Sequence, residues 1–170
     1  VTAGDTRAAV TTVTAETDIG SARAACAASP AGTAGLAGVT VAAGSLTALP
    51  YAQDGFDLPI DRILHTDTPC FYRNGEEGES EEDFATRLAD NLDKQIESEG
   101  PDTVGGFIAE PVMGAGGVML PPKTYFEKIQ KVLKKHSVLM IADEVICGFG
   151  RTGQMWGCDT YDIKPDLLTC

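Results

Sequence analysis

Three carboxylates stand where apolar runs give way to turns. Val138 to Ala142 is a short continuous apolar run that suits a strand buried on both faces, and it ends in Asp143 and Glu144. Thr103 to Ala109 reads as a second short buried strand and ends at once in Glu110-Pro111. In an open α/β sheet, ligands bind just beyond the carboxyl ends of the strands. A charge buried there needs a cationic partner. Acids at two neighbouring strand ends therefore describe a site, and the cation that Asp143 meets decides its chemistry.

Three readings of the site compete. Gly148-x-Gly150-x-x-Gly153, which carries Arg151, matches the glycine pattern of a nucleotide-binding α/β domain. That motif should open directly from a strand into a helix; here two carboxylates intervene, and Trp156-Gly157 stands where the helix should begin. The magnesium-binding strand of a nucleoside triphosphatase would need a G-x-x-x-x-G-K-[ST] phosphate loop, and the 170 residues contain none. In the third reading Asp143 faces a pyridinium. A buried aspartate beside a ring nitrogen favours its protonated form through a charge-assisted hydrogen bond. Val145, two positions on, would then lie against one ring face. The residue pattern permits this reading without singling it out.

The elements that must hold these acids are legible from Ser80 onward. Ser80-Glu81-Glu82-Asp83 is a capping-box-like start with acids in the first turn. Phe84, Leu88, Leu92 and Ile96 then form one apolar stripe, and Gly100-Pro101 stops the helix. After the Thr103–Ala109 strand, a loop with Gly114, Gly116 and Gly117 leads to Pro121-Pro122. A second helix follows, from Lys123 to about His136, burying Tyr125, Phe126, Ile129, Val132 and Leu133 and ending in Lys131, Lys134, Lys135 and His136. Strand, helix and strand make a βαβ unit, so an α/β fold with a mostly parallel sheet flanked by helices is expected. Residues 50–79 read as loop, punctuated by Pro50, Pro59 and Pro69, with His65 a surface or hydrogen-bonding residue. Residues 1 to about 50 are rich in Ala, Thr, Gly and Val without a sustained period and read as weakly packed.

Composition narrows the partners. With 13 basic and 25 acidic residues the net charge is −12, which argues against nucleic acid or an anionic membrane. No apolar run approaches the length of a membrane span. Cys26, Cys70, Cys147, Cys158 and Cys170 never form a C-x-x-C pair, as expected of reduced thiols in an intracellular, cytoplasmic protein. Cys147, Cys158, His65 and His136 match no usual zinc spacing, so no metal is expected. The chain starts without Met and stops within the apolar run Leu167-Leu168-Thr169-Cys170, so a fragment truncated at both ends is expected.

From about Gly38 onward the sequence resembles the class III, fold-type-I, pyridoxal-phosphate-dependent aminotransferases. The resemblance rests on Gly106 through Val112, on Ile141-Ala142-Asp143-Glu144-Val145, on Gly148 through Gly153 and on Asp166-Leu167-Leu168-Thr169. Gly44-Ser45-Leu46-Thr47, Phe56-Asp57-Leu58-Pro59 and Met113 through Val118 are similar to the branch acting on 4-aminobutyrate and other ω-amino compounds with pyruvate or another oxoacid. The resemblance implies a poorly matching segment over 1–37 and part of the cofactor-binding large domain over 38–170. It implies pyridoxal 5'-phosphate as cofactor, Asp143 as partner of the ring nitrogen and Val145 against the ring. Glu110 would join the carboxylate network near the substrate, and Glu144 and Arg151 would support the site loop or pair with each other. It further implies a homodimeric parent, mitochondrial if eukaryotic.

Three family elements depart from this pattern. Ala3-Gly4-Asp5-Thr6 is at most a remnant of the phosphate cup, and Leu36-Ala37-Gly38 replaces an aromatic-His-Gly stretch. The Schiff-base lysine is expected about two residues beyond Cys170, and no lysine within the chain has the burial or cationic neighbour that activates one. A catalytically inactive truncated chain is accordingly the alternative to a working transaminase.

Overall fold

The computed structural model describes residues 8–12 (as backbone), 44–56, 58 and 60–170. The segments around Ala3 and Leu36 singled out above lie outside the described residues. Five strands, β1 (Ala8–Thr12), β2 (Ile63–Thr66), β3 (Val104–Ala109), β4 (Leu139–Asp143) and β5 (Leu167–Thr169), form one sheet in the order β2-β1-β3-β4-β5. β3, β4 and β5 are mutually parallel, whereas β1 runs antiparallel to both its neighbours. β2 therefore shares the direction of β3, and β1 alone opposes the rest.

Short helices α1 (Pro50–Gln53) and α2 (Phe71–Asn74) flank β2 in the chain. α3 (Glu81–Glu99) begins as its cap dictates, with the Ser80 hydroxyl accepting from Asp83 N at 3.1 Å and three acids in the first turn. Phe84, Leu88, Leu92 and Ile96 are all buried, and Gly100 ends the helix with φ +92°. α4 (Tyr125–His136) follows Pro121-Pro122 and ends at Ser137 in the left-handed region, where Ser137 N and Val138 N close back on the last helical carbonyls. The two helices are clasped at their surface. Asp93 accepts from Lys135 Nζ at 2.7 Å and meets His136 Nε2, and Glu97 accepts from Lys135 at 3.0 Å. Asp93, Glu97 and His136 offer ligand atoms within 4.8 Å of one another, and the Lys135 ammonium is the cation that Asp93 and Glu97 share.

The core lies on one face of the sheet. Val104 and Phe107 of β3 and Met140 and Ala142 of β4 pack with the apolar stripes of α3 and α4 and with Ile163. β4 therefore alternates, in contrast to the strand buried on both faces expected from its sequence. Met140 and Ala142 are buried, whereas Leu139 is 42% exposed and Ile141 and Asp143 are half-buried. Both long helices contribute to the same core, so the other face of β4 is covered less. Two further expectations are corrected. Residues 50–79 contain β2 as well as loop, and the stretch before residue 50 contributes β1, between β2 and β3. His65 lies on β2 with its Nε2 buried and no hydrogen-bond partner.

Candidate active site

The parallel register brings the strand-end acids together. Ala109 is paired with Ala142 and Asp143 with Thr169, so Glu110 and Asp143 leave neighbouring strands side by side. Glu110 Oε2 accepts from Gly114 N at 2.9 Å within its own loop. Burial raises the Glu110 carboxyl above the usual glutamate range; the Gly114 N–H opposes this and the Asp143 charge adds to it. Asp143 Oδ1 accepts from Val145 N at 3.1 Å, a side-chain turn that aims the carboxylate off the strand end. Among the described residues, no Lys, Arg or His forms an ion pair with Glu110, Asp143 or Glu144.

Glu144 points elsewhere and is fully buried. Its carboxylate accepts from Gly157 N at 2.9 Å and Cys158 N at 2.7 Å, the first residues of α5 (Gly157–Tyr161). Its own N–H donates to Thr169 O and its carbonyl accepts from Gly148 N, both at 2.8 Å. One residue thus joins the ends of β4 and β5 to the start of α5. Arg151 is exposed and does not pair with Glu144, which corrects the ion pair weighed above. Burial, with the Glu144 carboxylate beside it, pushes the Cys158 thiol up to about 12. The nucleotide-binding alternative fails at the same point. The first backbone N–H groups of α5, Gly157 and Cys158, which a pyrophosphate would need, are already taken by Glu144.

The loops after β3 and β4 stack closely. Cys147 Sγ donates to Val112 O and accepts from Val112 N, both at 3.3 Å. A Cβ on Gly157 would stand 2.8 Å from both Cys147 Cβ and Pro111 Cβ, so only glycine fits there. From the sequence, Cys147 reads as a reduced thiol or a metal-ligand candidate, Val112 as part of a family stretch and Gly157 as a misplaced helix start, and the meeting of the three is not foreseen. Their contacts span 35 residues along the chain, and no local pattern announces them. Val145 is 65% exposed beside Asp143, and Phe149 stacks at 5.1 Å on Trp156 in the loop beyond. A separate groove of about 1330 Å³, lined by Tyr72, Arg73, Val118, Leu120, Lys123 and Tyr161 among others, includes neither Glu110 nor Asp143.

A mostly parallel sheet flanked by helices, with acids converging at the strand ends, is the frame in which α/β proteins hold a ligand. The chain belongs to the class III aminotransferases: the family model described as Aminotransferase class-III matches residues 32–170. It is 59% identical over 132 residues to gamma aminobutyrate transaminase 3, chloroplastic, of Solanum lycopersicum, covering 78% of this chain and 25% of that protein. It is 62% identical over 132 residues to the probable gamma-aminobutyrate transaminase 2, mitochondrial, of Oryza sativa subsp. indica, covering 78% and 27%. Among solved structures it is similar to a transaminase with L-ala at TM-score 0.74 and 65% identity, covering 75% of this chain and 30% of that one. It is also similar to the omega transaminase from Pseudomonas jessenii in complex with PMP, at TM-score 0.74 and 59% identity, covering 76% and 29%. The chain thus spans between a quarter and a third of the length of these relatives.

Proposed function

We propose that this chain is part of the cofactor-binding domain of a pyridoxal-phosphate-dependent transaminase. The parent would move an amino group from an ω-amino acid or amine, 4-aminobutyrate-like, to pyruvate or another oxoacid. The observation that carries the reading is Asp143: a half-buried carboxylate at the end of β4, next to Glu110, with no cationic partner among the described residues. A donor set of this kind fits a pyridinium, because adjacent acids favour a proton on a nitrogen placed between them and solvent. When bound, the cofactor supplies the electron-withdrawing ring that acidifies the carbon bearing the amine.

The work of the chain's own residues follows from their positions. Asp143, oriented by the Val145 N–H, would hold the proton on the ring nitrogen. Val145 offers an exposed apolar side chain to the ring face. Glu110, held by Gly114 N, would be the second acid facing the cofactor and the substrate. Glu144 supports the strand ends from beneath, and Arg151 lies on the loop beyond. The lysines do not serve as nucleophile in this reading. Lys128, Lys131, Lys135 and Lys164 pair with surface carboxylates rather than with the strand-end acids.

A homodimeric parent completes the proposal, and an intracellular compartment for it is supported by the organelle names of the plant relatives. No helix among the described residues is long and apolar enough to cross a membrane. The test is titration of the chain with pyridoxamine phosphate, which needs no covalent bond to lysine. Saturable binding that weakens in Asp143→Asn supports the reading; equal binding by both proteins refutes it. Borohydride reduction with pyridoxal phosphate should leave no single lysine specifically modified.

A further inference from the structure

We propose that Cys147 is a positioning residue of this site: its buried thiol fastens the loop carrying Glu110 to the loop carrying Asp143 and so sets the spacing of the two acids. The β3–β4 ladder ends at the Ala109 and Ala142 pair, one residue short of both carboxylates. Beyond that point each loop needs its own tie to the other. The two Cys147–Val112 hydrogen bonds are the only ones between these loops among the described residues. Val112 lies two residues after Glu110, and Cys147 four residues after Asp143.

The thiol makes a reciprocal pair, giving its proton to Val112 O and receiving the Val112 N–H, each at 3.3 Å. A hydrocarbon of the same size could do neither, and a thiolate could not donate. Two close approaches reinforce the tie. Gly157 is wedged against both Cys147 and Pro111, where any Cβ would sit at 2.8 Å. Ile146 covers Gly114, where a Cβ would meet Ile146 Cδ1 at 2.5 Å, and Gly114 N is the group that holds Glu110. Ile146 therefore presses on the anchor of one acid, and Cys147 is bonded two residues beyond that acid, while both belong to the loop of the other. The thiol stays protonated because burial, then the charges of Glu144, Glu110 and Asp143, push it up.

The inference rests on the cofactor reading only for its ligand. Cys147→Val removes the paired hydrogen bonds at similar volume, Cys147→Ala is its smaller counterpart, and Cys147→Ser restores a donor and an acceptor. In the full chain, Cys147→Val should weaken pyridoxamine phosphate binding about tenfold, the size of one lost hydrogen bond. Cys147→Ser should recover most of that loss, and Cys147→Val should add little in an Asp143→Asn background. The Glu110 carboxyl, followed by carbon NMR, should titrate closer to the ordinary glutamate range in Cys147→Val or Cys147→Ala as Asp143 draws away.

Unchanged binding together with an unchanged Glu110 titration in the folded variant, Val or Ala, would overturn the proposal. So would an equal loss in both backgrounds, which marks general destabilisation. If Asp143→Asn binds as the parent does, the cofactor reading falls, and the Glu110 titration alone then decides the role of Cys147.

Discussion

Replacing Glu144 by Gln should cost the protein measurable stability without changing any exposed charge. The Glu144 side chain is fully buried, and each oxygen accepts one backbone N–H, Gly157 at 2.9 Å and Cys158 at 2.7 Å. Glutamine keeps one acceptor but turns its amide nitrogen toward the other N–H, leaving two donors facing each other in a dry place. A buried donor without a partner costs about 1–3 kcal/mol. At about 2–4 °C per kcal/mol for a chain of this size, Glu144→Gln should lower Tm by about 4–8 °C if the loss is about 2 kcal/mol. Glu144→Ala strands both donors and adds a cavity, so its loss should be about twice as large. Thermal unfolding followed by circular dichroism reads the difference, and amide exchange locates it. Gly157 and Cys158 should lose protection first, with the N–H of residue 144 following because it donates to the Thr169 carbonyl. A Glu144→Gln protein that melts with the parent, with unaltered exchange at Gly157 and Cys158, would refute the role assigned to this carboxylate.

Asp143→Asn should weaken pyridoxamine phosphate binding by about one to two orders of magnitude, the range of a hydrogen bond to a charged group, measured by fluorescence titration. Asp93 is held below the ordinary aspartate range, by Lys135 first and His136 second. Its stabilising contribution is therefore complete above that range and lost as pH falls through the depressed value. Urea unfolding between about pH 2 and pH 5 should show this acid limb in the parent and not in Asp93→Asn, with an amplitude of about 1 kcal/mol or less because Lys135 is half exposed. Glu110 has the opposite sign. Its raised carboxyl makes stability fall as pH rises from the ordinary glutamate value through the raised one, and the fall should shrink in Asp143→Asn. Iodoacetamide should label Cys170 in the native protein, whereas Cys70, Cys147 and Cys158 should react only after unfolding, as read by mass spectrometry.

The legible parts of the fold were those with strong local signals. Ser80 followed by three acids marked the start of α3, and the stripe from Phe84 to Ile96 marked its buried face. Pro121-Pro122 and the cationic last turn bracketed α4, and the apolar runs before Glu110 and Asp143 became β3 and β4. β1 was illegible because Ala8–Thr12 offers small and β-branched residues without alternation, and its place in the sheet comes from pairing with β2 and β3. β2 was hidden between prolines, although Ile63 and Thr66 are its buried ends. At the site, the positions of Glu110 and Asp143 followed from the βαβ logic. The destination of Glu144 did not, because a buried carboxylate is expected to seek a cation and this one is satisfied by the backbone of a helix 13 residues away. The Cys147–Val112 tie was equally hidden, since it exists only once two loops have been stacked.

The central claim is that Asp143 keeps a pyridine nitrogen protonated, and nitrogen NMR of pyridoxamine phosphate labelled at its ring nitrogen tests it most directly. Bound to the chain at a pH where the free ring is neutral, the nitrogen should give the shift of a protonated pyridine, and in Asp143→Asn it should return to the neutral value. The same ring-nitrogen shift in both proteins, or a neutral ring bound to the parent, would contradict the account.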